Sequence, residues 1–116
     1  MNVYDAAHQL ARAIKQSSEY TGYAAAKAKV DGQEGTAKML SDLRAKQWEL
    51  QELRMKGQEP TAEQMAALQK MAELVSHSPT LQEFLNAEYR FGQMVEDVQK
   101  IMGDAIRDLL PQAEEA

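Results

Sequence analysis

Cysteine is missing from all 116 residues. Its absence excludes disulfides, thiolate-bound metals and Cys-ligated iron–sulfur clusters. Proline (3) and glycine (6) are scarce, and no alternating β-branched run offers a strand. Aromatic residues are only 6% of the chain and do not interleave with a basic patch of the kind that grips nucleic acid. Basic residues are outnumbered 13 to 18, for a net charge of −5, which counts against direct nucleic-acid binding. No run of about 18 apolar residues occurs, and no basic stretch followed by an apolar one opens the chain. The expectation is a soluble cytoplasmic protein with no membrane segment. Gly-rich phosphate loops and a Ser/His/Asp set with recognisable local context are also missing. No catalytic residue, cofactor or metal site is assigned.

What is present is helix-forming. Ala, Leu, Gln, Glu, Lys and Met dominate, and all favour helices. Hydrophobic residues at 44% and charged residues at 27% fit a folded protein. The fold class read from this is all-α: an antiparallel helical bundle of about five helices with a long C-terminal helix. It forms one domain over 1–116, with 112–116 as an acidic tail.

The organising stretch is 80–110. Leu81, Phe84, Glu88, Phe91, Val95, Val98, Met102, Ala105 and Leu109 recur at steps of three and four, a heptad seam with one charge and one alanine in it. About 31 helical residues reach about 46 Å, whereas a compact domain of this size is roughly 35 Å across. The seam therefore overhangs a globular monomer. Either the monomer is elongated and its earlier helices cover the seam, or a second chain does. The second chain is the expectation here, with Phe84, Phe91, Val95, Val98 and Met102 as the interface of a homodimer or higher homo-oligomer.

Four helices precede it. The first covers about 3–16, with Val3, Ala7, Leu10 and Ile14 as its stripe. Ser17-Ser18 interrupts it, and Ser18 is the expected cap of a second helix over about 19–30. Gly32 suits the left-handed position after that helix. A third helix, about 36–56, has two overlapping seams: Leu40, Leu43, Gln47, Leu50 and Arg54, or Met39, Leu43, Lys46, Leu50 and Leu53. Gly57 and Pro60 end it. Thr61 with Gln64 forms a capping box for a fourth helix, whose stripe is Met65, Leu68, Ala72 and Val75. Ser78-Pro79, or Thr80 with Glu83, opens the fifth, and Pro111 halts it.

Several residues carry two readings. Glu88, the charge on the seam, is a buried carboxylate or a register-setting ion pair, with Gln47 and Arg54 as natural partners. Trp48 lies off both seams of the third helix, as an anchor for a partner or as cover for a lateral helix. Asp5 with His8, and Glu73 with His77, have helical ligand spacing but no visible further ligands. They motivate a metal- or small-ligand-binding alternative. Met39, Met55, Met65, Met71, Met94 and Met102 read as adaptable core. Gly92 and Gly103 mark a close helix crossing or ordinary tolerance.

The segment Met39-Leu40-Ser41-Asp42-Leu43-Arg44-Ala45-Lys46-Gln47-Trp48-Glu49-Leu50-Gln51 resembles the LxxFRxxQxxLQ pattern of the YlbF/YmcA family of small bacterial helical proteins. So does Ser78-Pro79-Thr80-Leu81-Gln82-Glu83-Phe84-Leu85-Asn86-Ala87-Glu88, followed by Val95-Glu96-Asp97-Val98. The opening Val3-Tyr4-Asp5-Ala6-Ala7 and the turn Gly57-Gln58-Glu59-Pro60-Thr61 are most similar to the YheA branch. The resemblance spans nearly the whole chain. It implies an all-helical, homo-oligomeric cytoplasmic protein without known catalysis. It also implies kinship to adaptors in a complex governing RNA processing, competence, sporulation and biofilm formation. Those adaptors carry Cys-ligated iron–sulfur clusters, which this chain cannot hold.

Two functional expectations of different class follow besides the ligand-binding one. The first is a non-enzymatic interaction or scaffold protein that self-associates through its C-terminal helix. The second is a regulatory adaptor in such an RNA-processing complex.

Overall fold

The computed structural model describes residues 1–111, which form five α-helices and a terminal 3-10 turn. They are α1 (Val3–Gln16), α2 (Ser18–Asp31), α3 (Glu34–Met55), α4 (Ala62–Ser76) and α5 (Pro79–Ile106), followed by Arg107–Leu109. No strand occurs among the described residues. The expected tail, 112–116, lies outside them.

Local chemistry sets each boundary. The Asn2 side chain accepts from the Asp5 amide at 2.8 Å and starts α1, as an Asx N-cap does. Ser17, not Ser18, divides α1 from α2. Its backbone is extended (φ −71°, ψ 154°). Its amide donates to the Ile14 carbonyl at 3.1 Å, and its hydroxyl accepts from the Tyr20 amide at 3.1 Å. One residue thus closes one helix and opens the next.

Gly32 does not take the left-handed conformation expected of it. It stays right-handed (φ −79°), its amide donating to the Ala28 carbonyl. The chain needs only Gln33, which is extended, to redirect into α3. The left-handed glycine is Gly57 (φ 78°). There the Gln58 amide donates to the Leu53 carbonyl at 2.9 Å and the Gly57 amide to that of Arg54 at 3.0 Å, the paired bonds of a Schellman ending. Thr61 and Gln64 form both bonds of the capping box, at 2.8 and 3.1 Å. Ser78 caps α5 through the Leu81 amide, with Pro79 in the first turn.

α5 is unbroken for 28 residues, about 42 Å. α2 packs antiparallel along its first half, and α3 with α4 forms a hairpin that meets the same end. Ala26, Val30, Leu43, Val75, Leu81, Phe84 and Ala87 are the core, with Tyr23, Met39, Leu40, Leu68 and Met71 packed around them. On α3 the seam Met39, Leu43, Lys46, Leu50, Leu53 faces inward, whereas Gln47 and Arg54 are exposed. On α4 the inward stripe is Leu68, Met71 and Val75. Met65 and Ala72 are exposed, because α4 is turned by roughly 50°, half of the step between successive residues, from the expected face, which keeps Leu68 and Val75 inside.

The result is a flat body. Its extents are 53 × 42 × 16 Å and its radius of gyration is 18.9 Å, against about 13 Å for a compact chain of this length. Helices with Cα cylinders of radius about 2.3 Å, packed 8–10 Å apart, give a two-layer thickness near 14 Å. The body is therefore about two helices thick; its buried residues form one patch, apart from Leu50 of α3, which is buried outside it.

Candidate interaction surface

The site grows from what α2 does to α5. Tyr23 stacks obliquely on Phe84 and Phe91, with ring centroids 5.5 and 5.4 Å away, and Tyr20 meets Phe91 at 6.1 Å. The Tyr23 hydroxyl donates to Glu88 at 3.0 Å. Arg44, from α3, donates to both Glu88 oxygens at 2.8 and 2.6 Å and stands 5.9 Å from the Phe84 ring centre. Three helices are thereby tied at one carboxylate. Arg44, not Gln47 or Arg54, is the partner of Glu88. The pair is half-exposed (side chains 46% and 32%), so solvent screens it and it contributes about 1 kcal/mol or less. Burial, then the hydrogen bond to Glu88 and its charge, raise the Tyr23 phenol above its ordinary pKa.

Beyond this junction the seam of α5 loses its cover. Phe84 is 4% exposed, against its own chain's α2, which leaves it no area for a second protomer. Phe91 is half-buried on Tyr20 and Tyr23. Val95 and Val98 are half-buried too. Met102 is 56% exposed, as are Ile101 (70%), Ile106 (51%) and Leu109 (89%). Of the five residues expected at an interface, Val95, Val98 and Met102 present accessible area, Phe91 presents some, and Phe84 none.

α1 is the second uncovered element. It is strongly one-sided in sequence yet holds no buried residue. Val3 and Tyr4 are exposed, and Leu10 and Ile14 are only half-buried. α1 meets α2 across Ser17 and does not approach α5. The α1 stripe was legible as a stripe, but nothing in it said that its own chain would leave it bare. Ile101 and Ile106 were missed because they flank the heptad positions.

Trp48 is exposed (56%), with Met55 two turns further along α3, also exposed. Met39 and Met71 join the core, and Met94 is half-buried, but Met55, Met65 and Met102 lie on the surface. The reading of all six methionines as core is therefore corrected for those three. Gly92 and Gly103 have nothing within 4 Å of where a Cβ would sit, so no helix of this chain crosses closely there.

The candidate ligand residues do not converge. Asp5 and His8 lie on α1, Glu73 and His77 at the end of α4, and α1 and α4 do not meet. His77 is the C-cap of α4, its Nδ1 2.8 Å from the Glu73 carbonyl oxygen. Among the described residues no three His, Asp or Glu groups gather to hold a metal ion, and no helix is long and apolar enough to cross a membrane.

The accessible surface totals 8995 Å². A compact monomer of 13.0 kDa exposes roughly 6,300 Å², so the excess is about 2,600 Å².

This all-helical fold has known counterparts. The family model described as "Control of competence regulator ComK, YlbF/YmcA" matches residues 3–107. The chain belongs to the YlbF/YmcA family. Within reach of that family's sequences, it is similar to the UPF0342 protein of Caldicellulosiruptor bescii, 39% identical over 90% of this chain and 88% of the relative. It is similar also to the UPF0342 protein of Halothermothrix orenii, 41% identical over 88% and 86%.

Solved structures share the fold. A protein of unknown function (DUF964) from Bacillus stearothermophilus has a TM-score of 0.78 at 23% identity, over 92% of this chain and 94% of that one. YheA from Bacillus subtilis has a TM-score of 0.65 at 22%, over 95% and 100%. Bacillus subtilis RicA, solved in complex with RicF, has a TM-score of 0.64 at 16%, over 91% and 94%.

Proposed function

We propose that this YlbF/YmcA-family chain is a non-enzymatic, single-domain helical interaction protein of the cytoplasm. It self-associates through the outer seam of α5, at Val95, Val98 and Met102, with Phe91 at the inner edge. It offers the exposed face of α3 around Trp48 to a protein partner. The observation that carries this reading is the thinning cover along an unbroken α5: Leu81, Phe84 and Ala87 are buried, Val95 and Val98 are half-buried, and Ile101, Met102 and Ile106 are exposed. An uncovered apolar strip of that length drives association. The net charge of −5 favours protein over nucleic acid as partner. Light scattering on the purified protein tests the self-association. A dimer or larger species at micromolar concentration is expected, and a strict monomer there overturns it.

A second reading is a regulatory adaptor within a hetero-complex for RNA processing, competence or biofilm formation. It is favoured by the family description and by the fold shared with RicA, which was solved with RicF bound. Native co-purification with mass spectrometry discriminates, because this reading requires a ribonuclease component among the partners.

A further inference from the structure

We infer that the second half of α5 is a seat for α1 of a second copy of this chain, the two copies exchanging their first helices reciprocally. This deepens the self-association reading and rests on it.

The register of α2 on α5 carries the inference. Lys29 pairs with Glu83, Tyr23 with Glu88, and Tyr20 with Phe91, so each step up α2 is a step down α5. A helix continuing that line past Ser17 would set Ile14 opposite Val98, Leu10 opposite Met102, Ala7 opposite Ala105 and Val3 opposite Leu109. That is the whole α1 stripe against the seam of α5 from Val98 onward, with the last pair in the 3-10 turn that follows Ile106. The charges match as well. Lys15 falls opposite Asp97, and His8 and Asp5 fall opposite Asp104 and Arg107, which already pair with each other and, through Asp104, with Lys100. Arg12 falls opposite Lys100, with Glu96 and Asp104 one turn to either side. Opposite charges beside an apolar seam select the partner and its direction.

The chain's own α1 does not take this seat. Ser17 turns it away, held by the bonds that cap both helices, and α1 stays clear of α5. Straightening Ser17 would undo those bonds. A second copy fills the seat without undoing any. A helix of 14 residues with no tertiary cover is marginal in water, so α1 gains as much from the exchange as α5. A two-fold exchange covers both copies and leaves no open end. The surface excess of about 2,600 Å² per copy exceeds the roughly 800 Å² per partner of an ordinary interface.

The cysteine-free sequence makes the test direct. Leu10→Cys and Met102→Cys, placed together in one chain, are oxidised and run without reductant, after light scattering on the reduced protein. A second pair, Ala7→Cys with Ala105→Cys, guards against a local fault in the first. A Leu10→Cys with Gln69→Cys chain, its second site on the exposed face of α4, is the control. Both seam pairs should give a covalent dimer and the control should not, since a disulfide needs Cα atoms about 4.4–6.8 Å apart. A dimer in solution with no seam cross-link overturns the exchange but leaves self-association standing. A cross-link closed within a single chain also overturns it, because α1 would then cover its own α5. A monomer removes both readings together.

Discussion

Phe84→Ala and Val98→Ala should separate what a continuous heptad pattern joins. Phe84 is 4% exposed, with the Tyr23 ring and the Arg44 guanidinium on it. Emptying such a site costs about 3–5 kcal/mol, the transfer of the ring plus the cavity left behind. A domain of this size is stable by only about 5–15 kcal/mol, and a two-layer body buries little else. Taking about 3–6 °C for each kcal/mol, Phe84→Ala should lower Tm by about 9–30 °C. That loss belongs to the single chain, so it should be of similar size at any protein concentration. Val98 is half-buried within its own chain, and trimming it should cost the monomer about 0.8 kcal/mol, half of what full burial of two methyl groups is worth. Covered by a second copy, its two lost methyl groups are worth about 1.6 kcal/mol. The part not already lost in the monomer, about 0.8 kcal/mol at each of two sites in a two-fold dimer, gives about 1.6 kcal/mol, roughly fifteenfold in Kd. Thermal unfolding at about 1 and 100 μM, with light scattering beside it, reads both effects, since only linked association makes Tm depend on concentration. The reasoning fails if Phe84→Ala dissociates an otherwise undisturbed fold, or if Val98→Ala unfolds the chain without changing its association.

Gly92→Ala should raise stability by about 0.5–1 kcal/mol, because the residue is helical and nothing lies within 4 Å of the added Cβ; a loss in urea unfolding would mean that another chain packs against that turn. Tyr23 gives an alkaline signature. Its pKa is raised in the folded state by burial and by Glu88, so its stabilisation is complete below the ordinary value of 10.0 and lost as pH climbs through the folded value. Lys27, raised through its ion pair with Asp31, declines over the same alkaline range. The comparison is therefore between wild type and Tyr23→Phe, which should be less stable at pH 7 but lose less between pH 9 and 11. Parallel curves would contradict the assignment.

The helices were legible because their punctuation is local. Thr61 with Gln64, Ser78 with Pro79, and Gly57 each act within a turn of themselves, so residue type and spacing suffice. The Ser17 break was read one residue late because Ser17 and Ser18 are both good caps and only backbone direction chooses. Which α3 residue meets Glu88 depends on a crossing angle, which periodicity does not encode. Arg44 lies three residues before Gln47, nearly one full turn, so a small change in the angle exchanges one for the other. Phe84 was counted with the interface residues for a related reason. Leu81 to Leu109 is one uninterrupted stripe, and a stripe records that each position wants apolar cover, not which chain supplies it. The division falls where α2 ends, near Phe91, and α2 ends there because a serine hydroxyl bonds the Tyr20 amide instead of continuing the helix.

That placement explains why the molecule is both folded and unfinished. Had residue 17 been a strong helix former, α1 and α2 would make one rod as long as α5, and the two would bury their stripes on each other within one chain. With the break, only the α2 half of that pairing is made internally. It suffices to fix Phe84, Leu81 and the Glu88 junction, and the α3–α4 hairpin closes the same end. The other half, α1 and the outer seam of α5, keeps matching apolar spacing without meeting in one chain. A single extended serine therefore turns a self-contained helical pair into one that is half satisfied, and the proposed exchange would satisfy the rest.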